Sequence, residues 1–244
     1  IKERWLALPD NTTITVDKNG DWDLPVQSVI IKHFRLHDQL LETRLMVRHQ
    51  DGNWAGYTYK WNAEQTEATW VPSGGSMTVE QTTWAIPSSS QCLQCHTEAA
   101  GRTLGLETAQ LNGPFTYPNG TTENQLVVLS RIGMFDSPLV DSQTDADSLP
   151  ALASLNGGGT TTDKARANLH VNCAICHQPG GPGGGESDLR YSTAEDTMGI
   201  INIEPLFGDL GTSGALLVVP GQPDQSLLSL RMHALDIHRM PPLA

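Results

Sequence analysis

The chain has few basic residues and no long apolar run. Only 15 Lys and Arg stand against 27 Asp and Glu, which gives 244 residues a formal net charge of −12. Such a surface repels phosphate groups, so the composition argues against nucleic acid as a partner. No run approaches the ~18 apolar residues of a membrane-spanning helix. Because Ile1 is not followed by the basic and apolar regions of a signal peptide, we expect any leader to have been removed or left out.

Cysteine is scarce, and its placement is informative. The chain has 4 Cys, and all of them fall in two C-x-x-C-H motifs, at 92–96 and 173–177. On a helix, this spacing projects two thiols and an imidazole from one face. Covalent haem attachment needs that set, since two thioether bonds hold the macrocycle and the His supplies an axial nitrogen. The motifs therefore predict two haem c groups held by Cys92, Cys95, His96, Cys173, Cys176 and His177, with His96 and His177 ligating the iron.

Other uses of a C-x-x-C pair remain open at this point. They are a zinc half-site, a thioredoxin-like dithiol and a disulfide. A zinc ribbon brings its two pairs within roughly 15–20 residues of each other, whereas Cys92 and Cys173 lie 81 residues apart. A thioredoxin-like motif has no need for a trailing His in both copies. The spacing therefore favours haem.

Residues 1–87 contain no Cys and are dominated by strand patterns. The segment 43–61 alternates in side-chain character around Asp51-Gly52, which predicts a hairpin. Further strands are predicted at 13–16, 28–34, 68–71 and 77–86, with Pro and Gly between them. We interpret this part as an antiparallel β-sandwich or barrel-like domain.

The remainder of the chain predicts two mainly α-helical, cytochrome c-like haem units. Ser88 to Ser90 offer caps for a helix with the first motif, and Thr162-Asp163 offer one for a helix with the second. A third helix is predicted from Thr121 or Thr122 to Met134, followed by an acidic linker over 136–148. The predicted fold class is thus α+β multidomain, with a β-rich domain at 1–87, a first haem unit at 88–150 and a second at 151–244.

The sixth ligand of each iron decides whether small oxidants can bind. Met240 is the best candidate for the second haem, because Pro241-Pro242 hold it on an extended backbone outside any helix. For the first haem we name Met134, which lies 38 residues after His96. In both cases the alternative is a methionine that only packs in the core.

These pieces together resemble a family of uncharacterised bacterial di-haem c-type cytochromes, secreted proteins and lipoproteins in which a β domain precedes two haem motifs. The matching segments include IPSSSQCLQCH, ARANLHVNCAICHQPGG, VVPGQPDQSLLSLRM and RMPPLA. The resemblance implies an extracytoplasmic electron carrier, in the periplasm or outside the cell, with a dehydrogenase as one partner. Such haem domains continue past the MPP motif into another helix, so we expect either a truncated sequence or another element or subunit covering that side.

Electron transfer between redox proteins is therefore the predicted function, and the acidic surface predicts a basic acceptor. A di-haem peroxidase is one alternative. It would need an open iron and a nearby acid–base group, and spacing places none near His96. The other alternative is a subunit that self-assembles into a polymeric, electron-conducting filament, against which the sequence offers nothing.

Overall fold

The structure, a computed structural model, describes residues 2–242. Its strands are β1 (Lys2–Ala7), β2 (Thr15–Val16), β3 (Trp22–Asp23), β4 (Val29–Leu36), β5 (Gln39–Arg48), β6 (Trp54–Trp61), β7 (Ala68–Trp70), β8 (Gly75–Val79), β9 (Thr82–Ile86), β10 (Pro114–Thr116) and β11 (Thr122–Asn124). Its α-helices are α1 (Ser89–Cys95), α2 (Thr108–Leu111), α3 (Gln125–Arg131), α4 (Gln143–Asp147), α5 (Thr161–Asn172) and α6 (Leu227–His233).

A five-stranded antiparallel sheet, in the order β1-β4-β5-β6-β7, forms the centre of the N-terminal part. Strands β5 and β6 pair as the predicted hairpin, with the turn at 49–53. The predicted strand at 28–34 is confirmed as β4, and the one at 68–71 as β7. The predicted strand at 77–86 is instead the hairpin of β8 and β9, and the edge strand β1 was not predicted.

Alternate residues of this sheet face opposite sides, and one side is much better covered than the other. On the covered side, Phe34, Met46 and Thr58 are buried. Ile30 and Trp54 on the same side pack against a hydrophobic cluster. Its buried members are Ile14, Trp22, Leu24, Leu126, Val127, Phe135, Val140 and Ala146.

Contacts divide the chain into two compact units. The first comprises the chain up to His96 together with Gly101–Ala151, and the second comprises Thr97–Ala100 together with the chain from Leu152 onward. In the second unit, α5 and α6 are joined by irregular chain around a small apolar cluster that includes Leu169, Leu189 and Met198. The three-part division at 87 and 150 stays a prediction.

The predicted fold class is wrong beyond its N-terminal β-sheet domain. The strands form one open sheet with separate two-stranded ribbons, not a sandwich or barrel. Among residues 2–242 the helices are short, the longest being α5 with 12 residues, and they do not build two helical cytochrome units. Glycine and proline explain much of this, because the segments 178–185 and 199–223 are rich in both and neither residue propagates a helix.

The predicted helix from Thr121 and the predicted acidic linker also differ from the structure. Residues 122–124 pair with β10 instead, and α3 starts only at Gln125, capped by the side chain of Asn124. The linker contains α4, whose Ala146 is fully buried in the first unit.

In the part of the chain that is described, no helix has the length and apolar character to cross a bilayer. This confirms the sequence-based expectation that the chain has no membrane-spanning helix among these residues.

Candidate functional site

The first motif lies on α1, as predicted. The Ser88 side chain accepts from the backbone N–H of Gln91, and the Gln91 side chain accepts from the backbone N–H of Ser88. This capping box satisfies two backbone donors that a helix start leaves without partners. At the other end, His96 N donates to Cys92 O at 3.0 Å, so His96 still belongs to the last turn. Both thiols and the imidazole therefore project from consecutive turns of one capped helix.

A glycine of the sheet lets α1 approach closely. A Cβ atom on Gly56 would lie 2.5 Å from both Cβ and Sγ of Cys92 and 3.3 Å from Sδ of Met46. No real Cβ tolerates a contact of 2.5 Å, so only glycine fits between β6 and α1. Strand β6 is thus one wall of the first site, with Thr58 fully buried two residues further along the strand.

The ring of His96 is fixed in an orientation that suits metal ligation. Nδ1 lies 2.5 Å from the carbonyl oxygen of Arg102, and Arg102 donates back to the carbonyl of His96 at 2.9 Å. A carbonyl can only accept, so Nδ1 carries the proton and the lone pair is on Nε2. Burial lowers the pKa of His96, which favours the neutral ring. A hydrogen bond of this kind, from the ring nitrogen that does not bind the metal, orients histidine ligands.

The second motif is not helical throughout, in contrast to its predicted placement on a helix. Helix α5, capped by Thr160, ends at Asn172, and Cys173 is its C-cap residue. The motif continues as a tight turn, with Cys176 N and His177 N both donating to Cys173 O, at 3.0 and 2.9 Å. The last of these bonds keeps the helical spacing between Cys173 and His177.

A glycine-rich loop is packed on this turn. Gly183 N donates to Cys176 O at 2.8 Å. A Cβ on Gly183 would lie 2.6 Å from that oxygen and 2.8 Å from Nδ1 of His177, and one on Gly181 would lie 2.3 Å from the same oxygen. Side chains are therefore excluded at both positions. Burial, and next the charge of Arg231, lower the pKa of His177, so this ring is also held neutral.

No disulfide joins the four cysteines. Burial raises the pKa of Cys92, Cys95 and Cys173 above the ordinary value, so these groups are protonated thiols at neutral pH. Among the described residues there is no group of three or more His, Cys, Asp or Glu that could hold a metal ion. What the geometry offers at each motif is a pair of reduced sulfurs beside one neutral imidazole, which fits haem attachment.

Met240 lies in the second unit, connected to the surroundings of His177 through α6. Its backbone N–H donates to the carbonyl of Arg231 at 3.0 Å, and the charge of Arg231 acts on His177. The residue is 39% exposed, so it is not buried in the core. The assignment of Met240 as the sixth ligand stays a prediction.

Met134 lies just after α3 in the first unit. Its side chain packs against the hydrophobic cluster around Ile14 and Phe135, and its carbonyl accepts from Ile14 N at 2.8 Å. Such packing agrees with the alternative to iron ligation, a methionine that only fills space in the core. Ligation of the first haem by Met134 stays a prediction.

Three charged residues near the first motif were missed from the sequence. Lys32, Glu42 and Arg44 lie on the covered side of the sheet, and Glu42 is fully buried. Arg44 acts electrostatically on Cys92, Cys95 and His96. The only sequence signal for these residues is the placement of charges at alternate positions of largely apolar strands. Their position opposite α1 depends on strand register.

Comparisons with family models, curated proteins and solved structures gave no match to this chain.

Proposed function

We propose that the protein is an extracytoplasmic di-haem c-type cytochrome that transfers electrons between redox partners. The observation that carries the proposal is the orientation of the His96 ring. Its Nδ1–H donates to the carbonyl oxygen of Arg102, and the ring follows two thiols on one capped helix. Haem, once attached, supplies the one-electron chemistry. The chain contributes the thiols, the imidazoles, and the walls that limit access of water.

The residues of each motif have separate roles in this proposal. Cys92 and Cys95 hold the first haem, and His96 presents Nε2 to its iron. Cys173 and Cys176 would hold the second, and His177 and Met240 would ligate its iron. The glycines at 56 and 183 let backbone approach these residues closely, so position is set by the packed chain and not by flexible side chains.

Localisation follows from the chemistry of attachment. Haem is attached to C-x-x-C-H thiols on the outer side of the energy-transducing membrane, where the thiols must be reduced at that moment, and the family that the sequence resembles is extracytoplasmic. The protein is accordingly expected in the periplasm or outside the cell. Recovery of the haem-bearing form from the cytosolic fraction of its host would contradict this.

A peroxidase is the second candidate function, and one observation favours it. Glu42 is fully buried in the wall of the first site, and burial raises its pKa while Arg44 opposes the shift. A buried carboxyl group of this kind can act as a general acid or base if the first iron is open. An electron carrier would instead have a sixth ligand on the first iron, so no bound oxidant would be present for Glu42 to protonate.

Stopped-flow mixing of the half-reduced protein with hydrogen peroxide separates the two functions. A carrier exchanges electrons rapidly with small donors and shows negligible peroxide turnover. Saturable turnover that is lost in Glu42→Gln, together with a high-spin signal from the haem on Cys92 and Cys95, would replace the carrier with the peroxidase. Glu64→Gln is the matched control, because Glu64 is an exposed carboxylate in the turn after β6.

A further inference from the structure

The side of the five-stranded sheet that faces away from α1 carries a continuous set of aromatic and aliphatic side chains. Residues that pair directly across neighbouring strands lie on the same side of a sheet. Two adjacent rows of such pairs, one from β1 to β6 and one from β4 to β7, form what we call the aromatic face. Its residues are Trp5, Ile31, Leu45 and Tyr57 in the first row and His33, Thr43, Tyr59 and Trp70 in the second.

The aromatic face is partly exposed across its whole width. Trp5 at one edge is 46% exposed, and Trp70 at the other edge is 49% exposed. Between them, Ile31, Leu45 and Tyr57 are partly exposed as well, whereas the middle of the opposite side is buried. A contiguous apolar patch of this kind on a soluble protein marks a surface that binds something.

Internal contacts fix the orientation of the rings at the β1 side of the face. The rings of Trp5 and His33 meet edge to face, with their centres 4.6 Å apart. Nε1 of Trp61, which lies beside the second row on β6, donates to Oγ1 of Thr43 at 2.9 Å. The same oxygen lies 2.5 Å from Nδ1 of His33. Rings held in this way lose little freedom when a ligand packs on them.

At the other side, Tyr57 combines a ring surface with a polar edge. Its ring centre lies 6.2 Å from that of Trp70, and its hydroxyl lies 2.9 Å from Nε2 of His49. A phenol hydroxyl can both donate and accept, so its bond to His49 leaves capacity for a hydroxyl group of a ligand. The face therefore offers stacking surfaces with hydrogen-bonding groups at their edges.

The charge of the chain argues for an uncharged ligand. Among the described residues of the two rows between Trp5 and Trp70 there is no Lys, Arg, Asp or Glu, and burial lowers the pKa of His33 and favours its neutral form. With a net charge of −12, the protein repels a second copy of itself and an anionic lipid surface. A basic protein is attracted to carboxylates, which these rows lack. A neutral ligand meets none of these obstacles.

The area of the face also argues against a second copy. Four spacings between neighbouring strands separate β1 from β7, so a face about 19 Å wide and about 20 Å long covers about 400 Å². A stable protein–protein interface takes about 800 Å² from each partner. The face is thus too small for a stable dimer and large enough for several rings of a narrow, extended ligand.

We propose that the aromatic face binds a neutral polysaccharide, with Trp5, Tyr57 and Trp70 stacking on its sugar rings. The C–H groups on one side of a sugar ring carry a small positive charge and pack on the negative face of an aromatic ring. The sugar hydroxyls find partners at the ring edges, such as the hydroxyl of Tyr57. This site goes beyond electron transfer and would hold the carrier on a polysaccharide surface.

Binding of the full holoprotein to microcrystalline cellulose, chitin and insoluble starch tests the proposal. At least one of these polysaccharides should deplete the unaltered protein from solution. Trp5→Ala and Trp70→Ala each remove one stacking surface and should weaken that binding by about threefold to tenfold. Phe115→Ala is the matched control, because Phe115 is 45% exposed on β10, outside this sheet. Melting temperature and haem content identify the variants that keep the fold, and either tryptophan variant suffices.

Absence of binding to all three polysaccharides would overturn the proposal, and so would undiminished binding by both tryptophan variants. Sedimentation velocity and flotation with phosphatidylcholine vesicles examine the other occupants, and the proposal predicts a monomer that does not bind the vesicles. A dimer that Trp70→Ala abolishes would assign the face to a second copy. Vesicle binding that Trp70→Ala abolishes would assign it to a lipid surface. Either result would overturn the polysaccharide, and neither bears on haem attachment.

Discussion

Lys32 is a side chain whose ionisation is coupled to folding. Its pKa in the folded chain is lowered to about 8 from 10.5, so between these values the unfolded chain binds more protons than the folded one. Stability therefore rises with pH over that interval, and the unfavourable contribution is fully present below pH 8. In Cys92→Ala/Cys95→Ala, urea unfolding should become harder from about pH 8 to 10. Adding Lys32→Gln should remove this rise, and a rise that persists would contradict the assignment.

Met240 provides a second test at the level of a single residue. Because thioether ligation raises a haem potential relative to two imidazoles, Met240→Ala should remove a sulfur-to-iron charge-transfer band and lower one potential. It should also open that iron to cyanide. Met232→Ala is the matched control, since Met232 is a similarly exposed methionine on α6. A near-infrared spectrum that is unchanged in Met240→Ala would show that this side chain only packs.

The motif residues can be located from the sequence, whereas Lys32 and Arg44 near the first motif cannot. Spacing alone puts Cys92, Cys95 and His96 together, because they share one helix. Lys32 and Arg44 come together only through the pairing of β4 with β5, and a shift of one residue would move them to opposite sides. The contact of His96 with Arg102 was equally hidden, since it depends on a loop conformation.

Among the elements, the packing of α1 on β6 is the one that shapes the first site. Gly56→Ala places a methyl group where Cys92 already lies, 2.5 Å away, so strand and helix must separate. We expect a lower melting temperature and loss of haem from the first motif. Gly75→Ala is the control, because Gly75 lies on another strand, β8, and a Cβ there would meet nothing within 4 Å. Full haem occupancy in Gly56→Ala would contradict this packing.

Strands were easier to predict than helices in this chain. The hairpin of β5 and β6 follows from alternation and the Asp51-Gly52 turn, which are local signals. Helix α1 was predicted because its serine caps precede the motif. The second motif was wrongly extended as helix, since α5 ends at Asn172 with the C-cap at Cys173. Gly181 and Gly183 pack back on this turn instead of continuing α5, and such tertiary contacts are not visible in a local pattern.

At the scale of the whole molecule, the net charge predicts a basic redox partner. The net charge of −12 should attract a basic acceptor over long range. The rate of electron transfer to a basic redox protein should therefore fall by at least about tenfold between low salt and 0.5 M salt, where the Debye length is only a few ångströms. A neutral small-molecule acceptor serves as the control, with a rate that depends little on salt. A rate to the basic protein that is independent of salt would contradict the prediction.

Covalent attachment of two haems is the central claim for the molecule. Denaturing mass spectrometry of the full chain, produced in a host that matures c-type cytochromes, tests it most directly. We predict a mass equal to the chain plus two haems, falling by one haem in Cys92→Ala/Cys95→Ala and by one in Cys173→Ala/Cys176→Ala. A mass equal to the bare polypeptide would contradict the claim.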